Sequence, residues 1–234
     1  GFLVAGIWSL YLVKKEFGVG FELQTVDTIK HHLVEGWDIF VSMVFSSMYR
    51  SSNIIILGFL TNNTIVGYYS IAEKVVKALQ TLQDVVGNTL FPYLSKKFSI
   101  TNKSFFDLNK RFFKFIFLIY LSLSLITMFL SEYIIYILMR EFNEIAILNL
   151  QIMSFVILVG GFNYYYGILG LVSMNYKKDF SRFIIATGIF NIIFCFAMVY
   201  LYPEYGASIS MIGSEIVLLG LIMFKISKIK KELA

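Results

Sequence analysis

FIIATGIFNIIFCFAMVYL, residues 183 to 201, runs for 19 residues without a charged side chain or a proline. As a helix it would cover about 28 Å at 1.5 Å per residue, close to the ~30 Å hydrocarbon core of a bilayer. Its one cysteine, Cys195, is also the only one in the chain. Neither a disulfide framework nor a thiolate metal site is therefore available, and the residue reads as a buried structural thiol. The rest of the chain resembles this stretch in composition. It is 58% hydrophobic, 18% aromatic and 15% charged, with a mean hydropathy of +0.74. A soluble domain holds about 45–50% apolar and about 25% charged residues, so the sequence is that of a membrane protein.

Three further stretches meet the same test: 112 to 131 (FFKFIFLIYLSLSLITMFLS), 146 to 174, and 205 to 224 (YGASISMIGSEIVLLGLIMF). Two more are long enough but polar in places: 37 to 60, which contains Arg50, and 65 to 94, which contains Glu73, Lys74, Lys77 and Asp84. The expected fold class is all-α, a polytopic membrane helix bundle of six complete transmembrane helices. The opening GFLVAGIWSLYLV, residues 1 to 13, is too short to cross and lacks the charged start and cleavage site of a signal peptide. It reads as the end of a preceding transmembrane helix, which makes the chain the expected C-terminal half of something longer. The expected organisation is thus a truncated helix at 1–13, a cytoplasmic linker with an amphipathic helix at 14–36, a six-helix transmembrane lobe at 37–224 and a basic cytoplasmic tail at 225–234.

Lysine and arginine positions orient the spans. With the connection after residue 13 placed in the cytoplasm, that side receives Lys14, Lys15 and Lys30, then Lys96 to Lys114, then Lys177, Lys178 and Arg182, and finally Lys225 to Lys231. The other side receives only Arg140, among Glu132, Glu141, Glu144 and Glu204. TNNT at 61–64 and PEYG at 203–206 read as tight outer turns. Val26, Ile29, Leu33, Trp37 and Phe40 share one helical face, which predicts an amphipathic stretch on the inner surface before the first complete span. EYIIYILMREF, 132 to 142, reads as a shorter outer counterpart. The net charge of +5 is then a matter of topology and anionic lipid. No basic stripe with interleaved aromatics in a soluble segment points to nucleic acid. His31 and His32 read as ordinary histidines of a solvated loop.

Charges within the spans carry the functional signal. Glu73, Lys77, Gln80, Asp84, Gly87 and Asn88 fall on one face of a helix. Ser42, Ser46, Arg50 and Asn53 share a face of the span before it, and Ser208, Met211 and Glu215 a face of the last. Ionisable groups at membrane depth cost about 2.5–3.5 kcal/mol each even on a lenient scale, so these faces must turn to a watery cavity or to other helices. One reading is structural: Glu73 pairs with Lys77, Lys74 snorkels to the outer surface, and Asp84 neutralises Arg50. The other makes the charges line a path for a solute or ion. The run Tyr164, Tyr165, Tyr166, with Asn163 and Gly167, interrupts the span 146 to 174. It either breaks and packs the helix or forms an aromatic wall against sugar or lipid.

The segment EGWDIFVSMVFSSMYRSSNIIILGFLTNNTIVGYYSIAEKV resembles the start of the second lobe of polysaccharide flippases of the Wzx type. These belong to the multidrug/oligosaccharidyl-lipid/polysaccharide exporter superfamily. The matching positions are Gly36, Ser46, Asn53, Ile55-Ile56-Leu57-Gly58, Val66-Gly67-Tyr68-Tyr69-Ser70, Ala72 and Lys74. LYPEYGASISMIGSEI is similar to the family's last turn and helix. Many relatives carry an acidic residue where this chain has Asn53. The resemblance implies the second lobe of a two-lobe alternating-access transporter, partnered by an N-terminal lobe of the same protein. It further implies movement of undecaprenyl-pyrophosphate-linked oligosaccharide units across the bacterial inner membrane for O-antigen or capsule, with the C-terminus cytoplasmic.

On that reading Arg50, Lys74 and Lys77 supply cations for the pyrophosphate of the lipid-linked oligosaccharide. Glu73, Gln80, Asp84, Glu215 and Asn53 are then the polar or ion-coupling groups of the cavity. No catalytic residue, metal or cofactor is expected, and membrane lipids are the surroundings. A multidrug exporter of the same superfamily would need a cavity of net negative charge. A membrane polymerase or ligase would need a large outer loop bearing acid and base groups, whereas the outer connections here are short. A non-transporting membrane subunit would be indifferent to charge reversals in its spans.

Overall fold

A computed structural model describes the backbone of residues 2–18, 25–100 and 103–233. It also describes their side chains except at 2, 3, 35, 38, 39, 41–43, 45–50, 86, 99, 100 and 103. The elements are all helical: α1 (Phe2–Phe17), α2 (Val26–Leu60), α3 (Asn63–Ile100), α4 (Lys103–Phe129), α5 (Ser131–Met139), α6 (Glu144–Asn163), a π-helix (Tyr164–Val172), α7 (Lys177–Leu201) and α8 (Gly206–Glu232). The chain falls into two compact units, Gly1–Asp38 and Ile39–Ala234, with the boundary inside α2.

In the first unit, α1 stops at Gly18, whose φ of 63° lets its amide donate back to the Lys14 carbonyl at 3.1 Å. That is a left-handed C-cap, and Lys14 and Lys15 in the last turn suit the negative end of the helix. Thr25 caps α2, accepting from the Thr28 amide at 3.3 Å, with Asp27 in the first turn. The amphipathic stretch does not turn before the first span. It is continuous with it in one helix of 35 residues, through Gly36. His31 and His32 consequently lie on a helix, with rings edge to face at 5.7 Å, rather than in a loop.

In the second unit, among the described residues, four helices are long and apolar enough to cross a membrane: Ser104–Phe129, Glu144–Val172, Lys177–Leu201 and Gly206–Glu232. The helix over the expected span 65–94 is longer still, 38 residues, but its charged stripe keeps it from meeting the same standard. Among the described residues of α2, Ser51–Leu60 forms a shorter apolar stretch. α6 is the central helix, packed on α3, α4 and α8. Its apolar residues run all round, as an enclosed helix requires. α4 keeps most of its surface exposed, which suits a helix facing lipid.

Helix ends fix the connections. The Asn62 side chain caps α3 by accepting from the Ile65 amide at 3.0 Å, and Asn143 caps α6 by accepting from Ala146 at 2.9 Å. Arg140 closes α5 in the left-handed region at φ 62°. Asn149 of α6 donates to the Glu204 carbonyl at 2.9 Å, so the α7–α8 turn lies against the first turns of α6. At the opposite end, Lys225 Nζ and Asp179 Oδ2 pair at 2.7 Å, joining the end of α8 to the start of α7. Gly206 begins α8 because a Cβ there would stand 2.3 Å from the Met198 carbonyl oxygen. Beside it the Tyr205 phenol is pushed above its ordinary pKa by partial burial, then by the carboxylates of Glu204 and Glu144.

The core is split along the helix axes. One apolar cluster gathers Leu57, Tyr69, Val76, Leu150, Met153 and Met211; the other gathers Leu94, Phe98, Phe105, Tyr165, Leu169 and Ile222. Between the two clusters, α3 carries Gln80, Gln83 and Asp84, α6 carries Asn163, and α8 carries Ser214 and Glu215. That interruption holds the candidate site.

Candidate functional site

At the polar interruption lies a half-open cavity of about 120 Å³, also lined by the apolar Ile168, Phe180, Ile184 and Leu218. α3 contributes Gln80, Gln83 and Asp84, α6 contributes Gly160 and Asn163, the π-helix contributes Tyr164 and α8 contributes Glu215. Glu215 is only 4% exposed. The Asn163 amide nitrogen donates to Glu215 Oε2 at 2.6 Å and to the Glu215 carbonyl at 2.9 Å. A carboxylate so buried needs such charge-assisted donors to remain in place. The other amide atom, Asn163 Oδ1, is buried and has no hydrogen-bond partner among the described residues. Gly160 makes the room: a Cβ there would stand 3.1 Å from Gln80 Nε2 and 3.6 Å from Glu215 Oε2.

Tyr164 reaches the cavity because the helix widens where the tyrosine run begins. Its backbone amide is shared between the carbonyls of Gly160 and Gly161, and the π turns continue to Val172. π segments inside α-helices often occur at functional sites. The span is therefore widened by the Asn163–Gly167 stretch rather than broken by it. The Tyr164 ring lies over Gly87 of α3, where a Cβ would meet Tyr164 Oη at 2.0 Å. Gly87→Ala should thus displace the ring and lower stability by about 1–3 kcal/mol, although alanine is the better helix former by about 1 kcal/mol. Gly220→Ala, with nothing within 4 Å of its Cβ, should raise stability slightly. Thermal unfolding of the two variants in detergent tests the contrast; a higher midpoint for Gly87→Ala would contradict it.

A second buried polar group lies nearer the α7–α8 turn. Asn191 of α7 donates to Asn53 Oδ1 of α2 at 2.8 Å and to Ser52 Oγ at 3.4 Å. It accepts from Ser210 Oγ at 3.0 Å and Ser214 Oγ at 2.7 Å, both on α8. Asn53 also donates to Tyr69 Oη of α3 at 3.4 Å. Among the described residues, these neutral groups tie four helices together.

The sequence-predicted residues separate accordingly. Gln80, Asp84 and Glu215 meet at the cavity, while Asn53 belongs to the asparagine–serine network. Glu73, 3% exposed, pairs through Oε2 with Lys77 Nζ at 2.9 Å, the local i, i+4 partner. Lys74 is exposed, and neither lysine lines the cavity. Asn88 is exposed too. Ser208 donates to Asn149, Met211 Sδ receives the Tyr69 hydroxyl at 3.8 Å, and Glu215 alone of that face reaches the cavity. The side chains of Arg50, Ser42 and Ser46 lie outside the described residues. Asn191, Ser210, Ser214 and Gln83 were not singled out from the sequence. Their signal was an amide or hydroxyl inside an apolar run, visible but without an indicated partner.

Residues 1–98 match the family described as polysaccharide biosynthesis protein. Over 221 residues the chain is 28% identical to a protein named putative O-antigen transporter from Escherichia coli (strain K12), an alignment covering 94% of this chain and 53% of that one. Over 236 residues it is 25% identical to a protein of the same name from Shigella dysenteriae, covering 98% of this chain and 57% of that one. The chain thus spans somewhat over half the length of the curated relatives it matches. No solved structure matches it significantly. The apolar helices make this a multi-pass membrane protein, and the matches make it similar over residues 1–98 to the family described as polysaccharide biosynthesis protein and over most of its length to proteins named putative O-antigen transporter.

Proposed function

We propose that the chain forms one lobe of a flippase that moves an undecaprenyl-pyrophosphate-linked oligosaccharide across the bacterial inner membrane. The second lobe would come from the same protein. The observation that supports this best is the cavity at the polar break of α3, α6 and α8, where Gln80, Gln83, Asp84, Asn163 and Glu215 converge. Amides and carboxylates side by side offer the mixed donors and acceptors that sugar hydroxyls need. Transport requires no bond to be made or broken, and the protein acts here without catalysis or a cofactor. α2 and α3 complete six crossings with the four apolar helices, the polar faces of α3 and α8 turned to the solute path, and the C-terminus lies in the cytoplasm.

The test is translocation of a lipid-linked oligosaccharide by the full-length protein in proteoliposomes. Glu215→Gln should keep the shape and the Asn163 contact, insert normally, and lower translocation at least tenfold. Wild-type translocation by Glu215→Gln would make the carboxylate a structural acceptor only. One observation favours a second reading, export of organic cations: the described cavity lining carries Asp84 and Glu215 and no lysine or arginine. Ethidium efflux from the same vesicles, with no movement of the glycan lipid, would select that reading.

A further inference from the structure

α3 and α4 each pack on α6 and make far fewer contacts with one another; near their joined ends the Phe98 and Phe105 rings meet edge to face at 5.5 Å. Above that closure they splay, and a cleft of about 800 Å³ runs between them. That volume lies within the range of roughly 300–1,000 Å³ typical of ligand sites. Its walls on α3 extend from Leu79 to Lys97 and on α4 from Leu108 to Leu123; Tyr164, Tyr165 and Leu169 of the π-helix form its floor. Eighteen residues of helix correspond to about 27 Å, nearly the whole hydrocarbon thickness. The lining is otherwise apolar or uncharged, and its single charge, the exposed Lys97, stands at the end where the basic connection begins. Gln83 and Tyr164 line both the cleft and the cavity, so the two adjoin at these side chains.

From this geometry we infer that the cleft is a binding site for the isoprenoid chain of the lipid-linked substrate, with the lipid phosphate held at Lys97. The inference rests on the flippase reading and adds to it where the tail lies. A long apolar chain fits a long furrow with an apolar lining, and a phosphate complements Lys97, the one cation among the described lining residues. The shared wall at Tyr164 favours this occupant over a bulk phospholipid. A sugar-bearing head can move into the cavity while its chain stays in the cleft, whereas a phospholipid head has no use for a polar chamber beside its acyl chain. The placement also accounts for Tyr165 and Leu169 as floor residues, which the sugar cavity leaves unexplained.

The probe is undecaprenyl phosphate with a photoactivatable diazirine near the end of its chain, added to the full-length protein in proteoliposomes. Peptides from 79–97 and 108–123 should be labelled at least tenfold more than the exposed α7 surface around Ile189, Ile193 and Phe196. Leu90→Trp, which fills the cleft, and Lys97→Gln, a surface change that leaves packing untouched, should each reduce labelling about fivefold or more. Phosphatidylglycerol carrying the same diazirine should not label these peptides selectively. Equal labelling of α7, equal labelling by phosphatidylglycerol, or a cleft covered by the rest of the protein and so unlabelled, would each overturn the inference. Glycan translocation measured in the same vesicles separates the two claims. Translocation without cleft labelling refutes the cleft alone; selective labelling with no translocation refutes the flippase reading alone.

Discussion

Leucine in place of Asn191 should cost the folded protein about 2–4 kcal/mol and empty the membrane of most of it. The substitution is close to isosteric, so volume is not the cause. Asn53 Oδ1 loses a donor at 2.8 Å, and Ser210 and Ser214 lose the oxygen to which each donates. All three are buried. Hydrogen bonds between transmembrane helices average about 0.6 kcal/mol and reach about 1.7, while a buried group left without a partner costs about 1–3. Ser214 can fall back on the Ser210 carbonyl at 2.8 Å, which keeps the sum below the full total. Ile193→Ala, two residues along on an exposed face, is the control and should stay within about 0.5 kcal/mol. Unfolding in mixed micelles gives both values. An unchanged midpoint for Asn191→Leu would mean that the four helices are not held by this network.

How this network escaped the sequence, while the bundle did not, is a matter of range. An apolar run of 19 residues such as 183–201 declares its membrane fate by itself, since the cost of burying a backbone without internal hydrogen bonds leaves only the helix. The faces of α3 were legible for the same reason: 3.6 residues per turn put Gln80 and Asp84 together without knowledge of any other helix. What a face meets is not local. Glu73 and Glu215 look equivalent in the sequence, yet one is paired within its own helix and the other with Asn163 of α6. Lys74 and Lys77 were expected among the cavity cations because a pyrophosphate needs cations and they lie on the helix that carries Gln80. One turn is enough to take them out of its lining. The tyrosine run signalled an irregular helix, but the choice between a break and a π-helix depends on Gly87 of α3 accepting the Tyr164 ring, a partner more than seventy residues away.

Arg50→Gln should abolish glycan translocation while the protein still inserts. Arginine keeps its charge at any working pH, so at membrane depth it must be paired or hydrated. Gly58 approaches Val66, with 3.8 Å from a Cβ there to the Val66 side chain, and Asn53 bonds Tyr69, so α2 and α3 run antiparallel. Glu73 Oε1 is buried and has no hydrogen-bond partner among the described residues. We propose a phosphate of the substrate as the partner of Arg50 in transport, matched by the planar fork of the guanidinium, and a double variant with Glu73→Gln asks whether a buried carboxylate of α3 neutralises it at rest. Three variants separate the roles. Arg50→Gln alone should lower stability by roughly 1–3 kcal/mol. Adding Glu73→Gln should recover that stability but none of the translocation, because the phosphate ligand is still missing. Arg50→Lys should restore translocation in part, since the charge returns without the fork. If the double variant translocates as well as the wild type, Arg50 serves only to neutralise Glu73 and the phosphate role is wrong.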